Sequence, residues 1–86
     1  MRNKVLKKMK EVFIDIFDNQ EIEITFETSA KDIEEWDSLM NLQVMLAVEK
    51  KFKVSFTASE IANFANVGEI CDCIIKKGGI IWSLHI

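Results

Sequence analysis

Three places in the sequence hold side chains that could do chemistry: Asp37-Ser38, the pair Cys71 and Cys73, and His85. A catalytic serine needs a base and oxyanion donors, commonly on a glycine-flanked turn between a strand and a helix. Ser38 has no flanking glycine, and the only histidine is His85, in the apolar tail. A hydrolase is therefore a poor reading of Ser38. No acid–base pair with a supporting third group can be placed elsewhere, so the chain is expected not to be an enzyme. Cys71 and Cys73 lie two apart in a helical stretch, which turns them to different faces. They make neither a local disulfide nor half of a metal pair, and with one histidine no zinc set can be assembled. The thiols are expected to be buried or half-buried packing groups, and no metal ligand is assigned.

Two physical explanations remain for Asp37-Ser38. Serine and aspartate are favoured helix N-caps, because their side-chain oxygens accept from the free amides of the first turn. On that reading the pair is structural only. The other explanation is attachment of a phosphate-linked group, since a helix N-terminus carries partial positive charge and unpaired amides. Ser38 stands at the end of a long polar stretch, reachable by a modifying enzyme. Leu42 and Leu46, at i+4 and i+8, offer that enzyme an apolar grip.

The elements that must position this serine are helices. The sequence has no proline, and glycine occurs only at 68, 78 and 79, so few breakers interrupt a 3.6-residue period. Val5, Met9, Val12, Phe13 and Ile16 predict an amphipathic helix over about 3–17, stopped by Asp18-Asn19. Ile22, Ile24 and Phe26 alternate with polar residues like a strand, but no partner strand exists in the sequence and an isolated one is unstable. Residues 18–37 are instead expected to form a long loop pinned by those apolar residues, with one helical turn near 31–34. A structureless loop of that length is usually functional.

A second helix is expected from Ser38 to about Phe52. One buried stripe runs through Val44, Val48 and Phe52, and another runs through Leu42 and Leu46 on the side of Ser38. Thr57 to Glu60 can cap a short third helix whose Ile61 and Phe64 face inward. A fourth runs over about 67–77 with Ile70, Cys71, Ile74 and Ile75 apolar, ended by Gly78-Gly79. The expected fold is all-α: a small bundle of three longer helices and a short third one, with a long loop between the first two. Residues 1–77 are taken as one domain. Residues 78–86, GGIIWSLHI, are an apolar tail expected to fold back onto it.

Composition narrows the partners. With 49% hydrophobic and 29% charged residues, the chain is ordinary globular protein rather than disordered. No stretch approaches the roughly 20 apolar residues of a membrane span. The lysine-rich start, MRNKVLKKMKE, lacks the apolar block of a secretory signal, so a cytoplasmic location is expected. The net charge of −3 conceals a segregation: residues 15–37 carry −8 and the remainder +5. Arg2, Lys4, Lys7, Lys8 and Lys10 have no interleaved exposed aromatics, and the acidic segment beside them repels phosphates. A solvated helix face is expected there, not a nucleic-acid site.

The stretch WDSLMNLQVMLAVEKKFKVSF resembles the acyl carrier protein family, whose D-S-L motif opens the second helix of a four-helix bundle. The resemblance covers about residues 3–77 and rests on Asp37-Ser38-Leu39, on the phasing of Leu42, Val44, Leu46, Ala47, Val48 and Phe52, and on the short helix that follows. It implies that Ser38 bears a 4′-phosphopantetheine arm, transferred from coenzyme A by a magnesium-dependent phosphopantetheinyl transferase. The arm's thiol would hold an acyl group as a thioester for acyl-loading and acyl-using enzymes, and the carrier would act as a monomer. Asp37 would help present Ser38. Leu39, Leu42 and Leu46 are grouped as partner-docking residues, although Leu39, as the leucine of the motif, is also expected to pack inward.

Departures from the family pattern bear on pathway. Residues 38–52 hold Glu49 as their only acid beside Lys50 and Lys51, and Met40 stands where an acid is common. Complementary charge selects partners, so a dedicated or secondary pathway is expected rather than general fatty-acid synthesis. An aminoacyl or peptidyl carrier is an alternative, weakened by Trp36 where such carriers usually place glycine. An unmodified helical interaction module, with Ser38 serving only as a cap, is the other.

Overall fold

The stripe Val5, Met9, Val12 and Phe13 does form one face of a helix, α1, which spans Arg2–Phe17 in a computed structural model that describes residues 2–78. All four side chains are buried. The helix ends where Asp18 turns left-handed at φ 50, which lets the Asn19 amide donate back to the Ile14 carbonyl at 3.3 Å. Asp tolerates this conformation better than most residues because its short side chain can bond locally.

Helix α2 spans Ser38–Phe52 and buries Val44, Met45, Val48 and Phe52. The expected stripe is present, and Met45 joins it. Lys53 closes α2 in the left-handed region at φ 58, and the Val54 amide reaches back to the Glu49 carbonyl at 3.1 Å. The Glu49 carboxylate also accepts from the Phe56 amide at 2.6 Å, which ties the next segment to the helix end. A short helix, α3, covers Ala58–Asn63 and is opened by a capping box: Thr57 accepts from the Glu60 amide while Glu60 accepts from the Thr57 amide. Helix α4, Val67–Lys76, buries Val67, Ile70, Cys71 and Ile74 and is capped by Asn66. Gly78 follows it at φ 72, a conformation glycine adopts without strain. Helix α1 packs against both α2 and α4, so the core lies between these three elements.

Residues 18–37 contain no strand and no helix. Ile22 and Ile24 are buried, and the loop is pinned to the core as the alternation suggested once strand pairing was ruled out. The helical turn expected at 31–34 is replaced by two successive hydrogen-bonded turns. The Asp32 amide donates to the Ser29 carbonyl at 2.9 Å, and the Trp36 amide to the Ile33 carbonyl at 3.0 Å. The Asp32 carboxylate accepts from the Ser29 amide at 2.9 Å, a side-chain bond that competes with helix.

The middle of the loop is seated on the start of α4. The Phe26 and Thr28 carbonyls each accept from an amide of that helix, Gly68 and Val67, at 2.8 Å. Two of the amides that a helix N-terminus leaves unpaired are thereby satisfied. The Arg2 guanidinium lies 4.1 Å from the Phe26 ring centroid and donates to Asp72 at 2.8 Å, clasping the same point from α1. Residues 79–86, for which back-folding is expected, lie outside the described residues.

Candidate functional site

Ser38 is the first residue of α2 and Asp37 is its N-cap. Asp37 has the extended backbone of a cap, φ −97 and ψ −171, and its Oδ1 accepts from the Met40 amide at 2.9 Å. Its carbonyl accepts the first helical bond, from the Asn41 amide at 2.8 Å. The capping role is thus taken by the aspartate. Ser38 is exposed, and among the described residues its hydroxyl makes no hydrogen bond. An explanation of Ser38 as a cap is overturned: the preceding oxygen already holds the free amide.

What aims Ser38 is the residue two before it. Trp36 is 6% exposed and packs edge-on against Phe13 of α1, with centroids 5.0 Å apart and planes at 88°. Its Nε1 donates to Asn41 Oδ1 at 2.9 Å. One side chain therefore fastens the loop's end to α1 by packing and to the first turn of α2 by a hydrogen bond. The Asp37 amide donates to the Glu35 carbonyl at 3.0 Å, which tightens the same bend. The hydroxyl is held outward at a fixed place while the chain on both sides is anchored.

Around it the surface divides by chemistry. Glu34, Glu35 and Asp37 are exposed before the serine. Beyond it lie Leu39, Leu42 and Leu46, 66%, 52% and 57% exposed. The expectation that Leu39 packs inward is wrong. At 3.6 residues per turn it falls on the same outer face as Leu46, while the opposite face carries Val44 and Val48 into the core. On the other flank of Leu42 a groove of about 420 Å³ opens between α2 and α3, bordered by Trp36, Asn41, Ile61, Phe64 and Ile70.

The other groups with chemical potential are tied into packing. Burial pushes the Cys71 thiol up to about 12, far from a reactive thiolate. Burial also raises the half-buried Cys73, with further contributions from the Glu60 charge and from the thiol's contact with Glu60 at 3.6 Å. Glu60 is held below the ordinary carboxylate range by the Thr57 amide and by Lys77, whose ammonium is 3.0 Å away. Among the described residues no cluster of His, Cys, Asp and Glu is arranged to hold a metal ion. His85 lies outside them.

Sequence reasoning located Asp37, Ser38, Leu42 and Leu46 but missed the Trp36–Asn41 bond and the seat of the loop on Gly68. The signals were present but faint. A tryptophan directly before a polar pair needs a partner for its N–H when buried, and a glycine inside a predicted helix usually has a packing reason.

A family model described as "Phosphopantetheine attachment site" matches residues 7–74. Among solved structures, the solution NMR structure of a holo acyl carrier protein from Geobacter metallireducens is similar to this one. It is 33% identical, the likeness covers 94% of this chain and 91% of that chain, and the TM-score is 0.80. The family match spans the loop, the serine and all of α2.

Proposed function

The chain belongs to the acyl carrier protein family, and from that premise we propose that Ser38 is the residue to which its covalent 4′-phosphopantetheine arm is joined. It is a carrier rather than an enzyme: the arm supplies a terminal thiol that holds an acyl group as a thioester. The observation that carries the assignment is the division of labour at the head of α2. Asp37 holds the Met40 amide at 2.9 Å, and among the described residues the exposed Ser38 hydroxyl has no hydrogen-bond partner.

The residues around Ser38 fit a phosphodiester. The amides of the first helical turn lie beside the hydroxyl, and the positive end of the 15-residue α2 dipole favours an anion there. Asp37 presents Ser38 by fixing the entry of the chain into the helix, and Trp36 does the same from the core side. Tethering cargo here raises its effective concentration at each partner's active site.

A carrier works with the enzyme that modifies it and with acyl-handling enzymes. For this chain they are a magnesium-dependent phosphopantetheinyl transferase and the loading and using enzymes of a dedicated pathway, docking on Leu39, Leu42 and Leu46. Three leucines exposed on one face support that surface, since contiguous exposed apolar area marks interaction sites. The groove beside Leu42, apolar over most of its lining, supports shelter of the cargo between α2 and α3. No described helix is long and apolar enough to cross a membrane, and the carrier acts in the cytoplasm as a monomer.

The test is an intact mass after incubation with coenzyme A, magnesium and a broad-specificity phosphopantetheinyl transferase, with Ser38→Ala alongside. A gain of one phosphopantetheinyl group in the wild type only is expected. A gain in Ser38→Ala would move the attachment point elsewhere. Leu42→Glu is expected to slow loading more than it lowers stability.

A further inference from the structure

The leucine face has charge at both ends and none between. From Ser38 to Val48 no side chain is ionisable. At the serine end Glu34, Glu35 and Asp37 are exposed; at the other end Lys50 and Lys53 are exposed. Other charges lie nearby: Asp15 borders one hollow with Lys50 and Lys51, and Glu49 borders another. The Glu49 carboxylate takes the Phe56 amide at 2.6 Å, and the Lys51 ammonium lies 3.2 Å from Glu11. Among the described residues Lys50 and Lys53 form no ion pair, so their charge is available to a partner. Lys50 falls on the same side of α2 as Leu39 and Leu46, and a shallow hollow lined by Leu46, Ala47, Glu49, Lys50, Val54 and Ser55 continues the face to it. Lys53 holds a left-handed conformation where glycine is the usual residue.

Resting on the reading of Ser38 as the attachment residue, we infer that the enzymes this carrier serves receive α2 in an apolar groove of split charge, basic where Ser38 enters and acidic where Lys50 and Lys53 land. The two ends are about 20 Å apart along the helix, at 1.5 Å per residue. That separation is more than twice the screening length of about 8 Å at physiological salt, so each end interacts with its own part of the partner. A partner that is basic along its whole groove gains at the acidic end and loses at the lysine end. A split groove gains at both. The uncharged middle contributes apolar contact but no electrostatic steering, so discrimination among partners is concentrated at the ends.

The experiment compares a phosphopantetheinyl transferase whose carrier groove is basic throughout with a variant of the same enzyme bearing glutamate where the C-terminal end of α2 lands. Each is assayed with wild-type carrier and with a Lys50→Glu, Lys53→Asn carrier; asparagine tolerates the left-handed position. Wild-type carrier is expected to be loaded with kcat/KM about fivefold higher by the split-charge enzyme, and the double variant to reverse the order. Both differences should vanish at about 0.5 M salt. Matching thermal unfolding of the two carriers establishes that the exchanged lysines leave the fold intact. Equal kcat/KM for both carriers with both enzymes would overturn the inference. If neither enzyme loads the wild type while a control acyl carrier protein is loaded in the same mixture, the assignment of Ser38 fails, and the inference falls with it.

Discussion

Gly68→Ala sets two effects of known size against each other. In a helix interior alanine is favoured over glycine by about 1 kcal/mol, and Gly68 is the second residue of α4. Against this, a Cβ at that position would lie 2.8 Å from the Phe26 carbonyl oxygen, 3.1 Å from Arg2 Nη2 and 3.2 Å from the Phe26 Cβ. The Arg2 side chain is partly exposed and can swing aside. The Phe26 carbonyl has no such freedom. It accepts from the Gly68 amide at 2.8 Å, and the Thr28 carbonyl two residues on accepts from Val67 at the same distance. Making room means shifting the loop backbone by a few tenths of an ångström and stretching both bonds. Overpacking of this kind costs about 1–3 kcal/mol, and two weakened hydrogen bonds add up to about 1 kcal/mol each. Sterics outweigh propensity, leaving a net destabilisation of about 1–3 kcal/mol. For a domain of this size that is a fall in Tm of about 4–24 °C, read by circular dichroism with a urea series alongside. Loading of Ser38 should stay within about twofold, because the Asp37 cap and the Trp36–Asn41 bond hold the far end of the loop independently. An unchanged or higher Tm would refute the reasoning, since it would mean that Phe26 and Thr28 do not sit tightly on α4.

Asp37→Ala is expected to lower stability by about 1 kcal/mol in urea unfolding, the usual loss for a helix cap. Ser38→Ala should change it by no more than a few tenths, although it abolishes loading, so equal losses would restore Ser38 to a capping role. The Cys71 thiol, pushed up to about 12 by burial, should resist alkylation at neutral pH in the native protein and react only when the chain is unfolded; Cys73 should react slowly and first. Glu60 titrates below its ordinary value because the Thr57 amide and Lys77 favour the carboxylate. Its contribution to stability is therefore present above the unfolded pKa and lost as pH falls through the lower, folded one. A carboxyl NMR titration should show that low value rise when Lys77 is changed to Met.

The helices were legible in the sequence alone, because the signals that start, sustain and stop a helix lie within a few residues of one another. The period of Val5, Met9, Val12 and Phe13, the capping box of Thr57 and Glu60, and Gly78 after α4 are all local, and each is found where its chemistry puts it. The placement of Ser38 at the head of α2 was equally legible, as was that of Leu42 and Leu46 on the side of the serine. The absence of a strand at Ile22–Phe26 followed from counting possible partners rather than from pattern.

The tertiary structure decided what depends on residues distant in the chain. Two adjacent polar residues can each cap a helix, and sequence alone does not choose between them; the bend fastened by Trp36 against Phe13 puts Asp37 in the cap and leaves Ser38 outward. Leu39 was misjudged in part because a motif suggested burial, whereas the direction of α2 is set by the core partners of Val44, Val48 and Phe52. The turns over 29–36 displaced the expected helical turn through a side-chain bond from Asp32 and the pull of Trp36 into the core. The seat of Phe26 and Thr28 on Gly68 joins segments some 40 residues apart, and no local pattern records a contact that exists only once α1, the loop and α4 have met. Local chemistry determined the helices and the reachable serine; packing over long separations determined how firmly, and in which direction, that serine is held.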